Sequence, residues 1–350
     1  MKKLFLCFPF FVCFASFLSA ISLDEPSLSI SEKINYLNSV SHSEAIYLLE
    51  HSAFLQTIAI EKIEEYETVR ASSPFKKSAQ ARFFTIVDNQ KQPIADTPII
   101  IKYPTLQEVE EKHETSSGTV ITKSYNLEYA TTTVTTDKSG VATFRLSAFE
   151  HPILAEVRFF LPIFAGNETE IVAAYENLTD EQREVLSIGF ACKVGGKKRN
   201  NLKLAIDIVD FTNLEVPFTR NMVGTALLGE FMKRGYLWPG NYDTNVLKKY
   251  GIDLENTLAN AYKDFGGNVH DFIFGQSKVS EPVKIDGKWY CTCTAHIKIW
   301  NMKLNILSKD IVCEVSVSTP EGSTQAMTLA RQKLGADVLA DIIEFGFEFQ

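Results

Sequence analysis

From Trp289 to Trp300 the odd positions, Trp289, Cys291, Cys293, Ala295, Ile297 and Ile299, are apolar, while the even positions, Tyr290, Thr292, Thr294, His296 and Lys298, are mainly polar. Successive strand side chains point to opposite faces, so this alternation predicts a strand with one buried face. The run Ile311, Cys313, Val315 and Val317 repeats it, and a turn near Met302-Lys303 makes the pair a long antiparallel hairpin. A helical stripe follows at Ala326, Leu329, Ala330, Leu334, Val338 and Ile342, capped by Ser323 or Thr324. Upstream, Lys203 to Asp210 reads as a strand, Phe218 to Lys233 as an amphipathic helix ended by Gly235, Leu254 to Asp264 as a helix ended by Gly266-Gly267, and Asp271 to Phe274 as a short buried strand. Residues 201–350 therefore form a domain of alternating strands and helices.

The earlier chain has two other textures. Ser31 to about Val69 has almost no Gly or Pro and sets Ala45, Leu48, Leu49, Ile58, Ile60 and Ile63 among charged residues, which predicts helix, with Ser43 as a cap and Ser73-Pro74 as terminator. From Ala81 the runs shorten and become β-rich: Ala81 to Val87, Pro98 to Tyr103, Asn126 to Thr136, Val141 to Leu146 and Ala155 to Leu161. Asp88-Asn89 and Asp137-Lys138-Ser139-Gly140 supply turn chemistry between them, and the charged stretch Gln107 to Thr119 predicts a long exposed loop. The fold class is thus multidomain α+β: a helical segment at 23–75, an all-β sandwich at 76–165, a connector at 166–200 and an α/β domain at 201–350, with helices on both faces of its sheet.

The first 22 residues stand apart. Lys2 and Lys3 precede the uncharged apolar stretch Leu4 to Leu18, the pattern of a secretory signal peptide cut after Ser22 or after Ala20. An uncleaved anchor, or acylation of Cys13 in the poor context Phe10-Phe11-Val12-Cys13, would instead tie the chain to a membrane. Export makes disulfides feasible for Cys192, Cys291, Cys293 and Cys313, although 45% apolar residues suffice for a core without them. A formal net charge of −8 argues against nucleic-acid binding, and the Lys197 to Arg199 cluster reads as a solvated turn.

Two resemblances follow from particular strings. Val87-Asp88 with Pro93-Ile94-Ala95-Asp96-Thr97-Pro98, and Thr135-Thr136-Asp137-Lys138-Ser139-Gly140-Val141-Ala142-Thr143-Phe144, resemble bacterial immunoglobulin-like and carboxypeptidase-regulatory-like sandwich modules, which implies a fold and no particular activity. The segments Ile206 to Asn213, Phe231 to Tyr236 and Asp271 to Gly275, the hairpin, and Gly322 to Ile343 resemble the envelope domain of the curli-secretion lipoprotein and the lipoprotein activators of peptidoglycan synthases. That resemblance implies a non-enzymatic assembly or docking role. The hairpin departs from it, with Asn301-Met302-Lys303-Leu304 where a Thr-Gly pair is usual, and no amphipathic strand pair suited to a transmembrane barrel is present.

Candidate chemistry is sparse. The six histidines are scattered singly, and no nucleophile elbow, P-loop or metal-spaced cysteine motif occurs, so neither a cofactor nor a catalytic residue is expected. Cys291, Cys293 and Cys313 share one strand face and admit either packed thiols or a cross-strand disulfide from Cys293 or Cys291 to Cys313. Asp210 and Asn213 at a strand end are candidates for partner binding, against local turn hydrogen bonding; Trp238 and Trp300 are partner anchors or core lids. The sequence predicts an exported periplasmic or outer-membrane-associated protein that docks an envelope protein, with self-association open. Envelope glycan binding is the alternative, and a hydrolase with a dispersed site stands behind both.

Overall fold

The computed structural model describes residues 22–25, 27–115, 118–196, 202–236, 238–242, 247, 253–265 and 267–347. The segment before Ser22, expected to be a signal peptide, together with Cys13 and the Lys197 to Arg199 cluster, lies outside the described residues.

The chain opens with α1 (Ile30–Leu37), α2 (His42–Glu50) and α3 (Phe54–Thr57). Ser29 and Glu32 form a capping box on α1, and Ser41 caps α2 in place of the expected Ser43. The helical expectation fails from Ile58 onward. Residues Ile58–Glu64 form strand β1, paired antiparallel with β3 (Ala79–Val87), and β2 (Val69–Arg70) follows. The β-branched Ile58 and Ile60 sit two apart, and they lie opposite Thr85 and Phe83, so tertiary pairing outweighs the absence of helix breakers.

One sheet contains β1, β3, β4 (Gln90–Pro93) and β7 (Val141–Phe144), and a second has the order β2-β9-β8-β5-β6. Both sheets and the N-terminal helices share one core, including Phe83, Ile99, Ile101, Val157, Phe159 and Phe190. The predicted turns carry their chemistry: Asp88 and Asn89 both adopt positive φ, and Asp137 Oδ1 accepts from the backbone N–H groups of Ser139 and Val141 at 2.8 and 3.0 Å.

Two expectations change here. Gln107 to Thr119 is not a loop; β5 (Pro98–Thr115) and β6 (Gly118–Thr135) continue through it as a single hairpin arm. β5 pairs with β8 (Ile153–Phe160) only at Ile100 to Lys102. Pro104, with no N–H to give, stands just past that point, and the rest of the arm is paired within itself. The expected connector is also structural: α4 (Glu168–Ala174) and α5 (Asp180–Leu186) lead into β9 (Ser187–Gly195), which pairs with the full length of β8.

The C-terminal sheet has the order β11-β10-β12-β14, with β13 and β15 both paired to β14. β10 (Lys203–Phe211) is parallel to both of its neighbours, β11 (Trp238–Asn241) and β12 (Asp271–Val279). Even residues Leu204, Ile206 and Ile208 face a core shared with α6 (Met222–Lys233) and α8 (Ser323–Lys333), while Ala205 and Val209 face α7 (Leu254–Phe265). β14 (Lys288–Asn301) and β15 (Ile306–Thr319) form the long hairpin, with Cys291, Cys293, Ala295, Ile297 and Ile299 buried.

The closing helix departs from its predicted stripe. After α8, whose N-cap is Gly322, comes a π-helical turn (Leu334–Leu339) and then α9 (Ala340–Gly346). Fully buried positions run Ala326, Ala330, Leu334, Leu339 and Ile343, so the stripe slips by one residue from the expected Val338 and Ile342. Gly335 permits this, since a Cβ there would lie 2.3 Å from the Val223 carbonyl oxygen of α6.

α9 also joins the two halves of the molecule. Glu344, 2% exposed, pairs with Arg70 and accepts from the Tyr236 hydroxyl at 2.6 Å; Asp341 pairs with Lys193 at 2.5 Å and with Arg234 at 2.7 Å. Breaking a buried pair by removing one partner strands the other charge. Arg70 is partly exposed and Tyr236 would still donate, so Arg70→Ala is expected to cost about 2 kcal/mol, read as a lower urea midpoint.

Candidate functional site

At the carboxyl end of β10, Asp210 is fully buried. Its Oδ2 accepts from the N–H groups of Met222 and Val223, at 2.6 and 3.2 Å, which are the first turn of α6. Its Oδ1 accepts from the Ser277 hydroxyl of β12 at 2.9 Å, and the Arg331 guanidinium of α8 stands 3.5 Å from Oδ2. Arg331 in turn lies 3.8 Å over the Phe218 ring and donates to the Arg220 carbonyl at 3.5 Å. The carboxylate thus does not cap its own turn, as the local reading of Asp-Phe-Thr-Asn held. It satisfies orphan donors of a helix that starts twelve residues later.

Asn213 sits beyond it, exposed at the tip of a turn closed by Glu215 N–H to the Thr212 carbonyl at 3.0 Å. Leu214 and Val216 beside it are 78% and 56% exposed. Glu215 pairs with Lys278 of β12 at 3.1 Å, which lays this loop against the end of the sheet. The hairpin of β13 (Val283–Ile285) and the start of β14 extends from the same end, and Val283, Ile285 and Tyr290 are exposed there, with Val283 directly opposite Tyr290. A rim of exposed apolar side chains on two segments therefore stands at the carboxyl end of the parallel strands.

The remaining sequence candidates are elsewhere. Trp300 is opposite Phe272, at the amino end of β12, where its indole N–H donates to the Tyr262 hydroxyl at 3.2 Å and its ring joins the α7 core; it is a lid of that core. The backbone of Trp238 pairs with Lys203 at the same amino end, and its side chain lies outside the described residues. The structure does not bring either tryptophan to Asp210. The bridge between Cys293 and Cys313 is not formed: register sets Cys293 opposite Val315 and Cys313 opposite Ala295, and all four described cysteines are free thiols.

Ser277, Arg331 and the apolar rim escaped the sequence reading. Arg331 carried a usable signal, because it directly follows the stripe position Ala330, and a charge beside a core stripe needs a partner. Beside the amino end of α6 a pocket of about 300 Å³ is lined by Arg220, Asn221, Thr225, Asn241 and Tyr242. Two of the helix N–H groups that would favour an anion there, those of Met222 and Val223, are taken by Asp210. Among the described residues no group of three or more His, Cys, Asp or Glu is placed to hold a metal, and no helix is long and apolar enough to cross a membrane.

Residues 203–343 match the family model described as the TP0693-like lipoprotein, C-terminal domain. Over 149 residues the chain is 27% identical to an uncharacterized lipoprotein of Treponema pallidum (strain Nichols), a stretch that is 42% of this chain and 33% of that protein. The chain thus spans about a third of the length of this curated relative. Among solved structures, the PelC dodecamer of Paraburkholderia phytofirmans is 10% identical with a TM-score of 0.27, covering 41% of this chain and 92% of that one. The hypothetical protein CT253 of Chlamydia trachomatis is 9% identical with a TM-score of 0.30, covering 40% and 95%. Likeness at those scores decides nothing about this chain.

Burial raises the Asp210 carboxyl above the ordinary aspartate value of 3.8, against the pull of the α6 N–H groups, Ser277 and Arg331. A raised folded value means that folding favours the protonated carboxyl, so the contribution of this group to stability is full below the unfolded value and is lost as pH rises through the folded value. Asp210→Asn is expected to remove that slope from the stability profile, whereas Asp210→Ala, which strands two helix donors and the buried Arg331, is expected to cost about 3 kcal/mol in urea denaturation. Burial also pushes the thiols of Cys192 and Cys293 up to about 12. Both are expected to resist iodoacetamide in the native protein at mildly alkaline pH and to react in urea, as peptide mass spectrometry would read.

Proposed function

We propose that this is an exported, non-enzymatic envelope protein that docks another envelope protein through the carboxyl end of its C-terminal sheet. The observation that carries the reading is the apolar rim of Leu214, Val216, Val283, Ile285 and Tyr290, held out on two supported loops. Large exposed apolar side chains gathered at one end mark protein contact sites more often than scattered ones do. The lipoprotein match of residues 203–343 supports an envelope setting, periplasmic or outer-membrane-associated. In this reading the C-terminal domain acts as the curli-secretion and synthase-activator lipoproteins do, and the two-sheet half is an immunoglobulin-like spacer.

Crosslinking in intact cells followed by mass spectrometry tests it. The native chain is expected to capture a defined envelope protein, and Leu214→Asp with Val216→Asp to lose it while the melting temperature holds. Capture of that protein at equal yield by the double variant would sink the proposal. The mass of the mature chain from the same preparation reports cleavage after Ser22, cleavage after Ala20 or acylation at Cys13.

A further inference from the structure

A groove of about 630 Å³ lies at the root of the β5–β6 arm, where β5 has left β8 and faces the segment from Phe144 to His151. It belongs to the other half of the molecule and owes nothing to the docking rim. Its volume falls within the roughly 300–1,000 Å³ usual for small-molecule sites.

Aromatic rings dominate the walls. Tyr103 packs on Phe144 with ring centroids 5.1 Å apart, Tyr125 stacks on His151 at 3.5 Å, and Phe149 closes the side. The ionic groups among them are fixed and balanced. Glu108 accepts from Lys123 at 2.7 Å and from the Tyr125 hydroxyl at 3.2 Å; Glu150 accepts from the Ser72 hydroxyl at 2.6 Å; Arg145 donates to Ser78 Oγ and to the Lys76 carbonyl, each at 3.3 Å. Lys123, which pairs with Glu108 from outside the lining, brings the local count to two carboxylates and two cations.

This combination narrows the ligand class. A charged ligand would meet no net opposing charge and would lose its hydration. A purely apolar ligand would desolvate Glu108, Glu150 and Arg145 without replacing their water. An uncharged, hydroxyl-rich ligand meets both needs, because its C–H faces cover the rings while its hydroxyls use the remaining capacity of the ionic groups: a carboxylate offers about four lone-pair sites and a guanidinium five N–H donors.

We propose that the groove between the arm root and Phe144 to His151 binds an uncharged oligosaccharide. Calorimetric titration of the full chain with neutral hexasaccharides, β-linked N-acetylglucosamine and α- and β-linked glucose, tests it directly. Saturable binding of at least one is expected, insensitive to salt because no net charge is engaged. Tyr125→Ala and Glu150→Gln should each weaken it about tenfold or more, and Tyr47→Ala, an exposed ring on α2, should leave it unchanged. Circular dichroism confirms that each variant is folded. The proposal is overturned if no neutral hexasaccharide binds at roughly millimolar concentration, if binding ignores the two groove variants, or if only charged glycans or peptides bind.

Discussion

A carboxylate taken out of water must be given partners, and in the C-terminal domain the Asp210 side chain is given four, Met222, Val223, Ser277 and Arg331, from three elements. The first turn of α6, the hydroxyl of Ser277 on β12 and the guanidinium of Arg331 on α8 converge on it, and its own backbone carbonyl accepts from Phe218 at 2.8 Å. Hydrogen bonds to ions are stronger than neutral ones, and the penalty for leaving one unmade inside a protein is larger still. The cluster therefore specifies geometry more than it adds stability. It fixes where α6 begins, which way Arg331 points and how the loop carrying Leu214 and Val216 leaves the sheet.

Topology explains why the convergence occurs there. β10 is flanked by parallel strands reached through helices on opposite faces, and Asp210 stands at its carboxyl end, the crevice end of such a sheet. In such sheets that opening is the usual seat of function. Here Asp210 accepts the first N–H groups of the helix, those of Met222 and Val223, and the exposed chemistry is displaced outward to the rim. The two-sheet half offers a different surface, polar and aromatic, at the root of its arm.

What could be read from the chain depended on how local the deciding contacts were. The β14–β15 hairpin was legible because its alternation is strict and its partner follows within a few residues. β1 was not, since the choice between helix and strand at Ile58 to Glu64 is made by Phe83 and Thr85, some twenty residues away. The arm hid in a charged stretch because a strand solvated on both faces has no apolar alternation to show. β9 was missed as connector because its pairing with β8 spans α4 and α5. Among site residues, Asp210 was visible and its role was not: the sequence suggests a turn, whereas the partners that define its role are Met222, Ser277 and Arg331.

The π-helical turn at Leu334–Leu339 has a consequence for how the two halves are joined. An α-helix rotates by about 100° per residue. One residue absorbed in the wider turn therefore swings everything after it by that angle relative to a continuous helix, so that Leu339 and Ile343 enter the core while Asp341 and Glu344 face Lys193 and Arg70 across the junction. In an uninterrupted helix position 341 would continue the buried stripe of Ala330 and Leu334. The attachment of one half to the other is thus a matter of angular phase, set by a single extra residue beside Gly335.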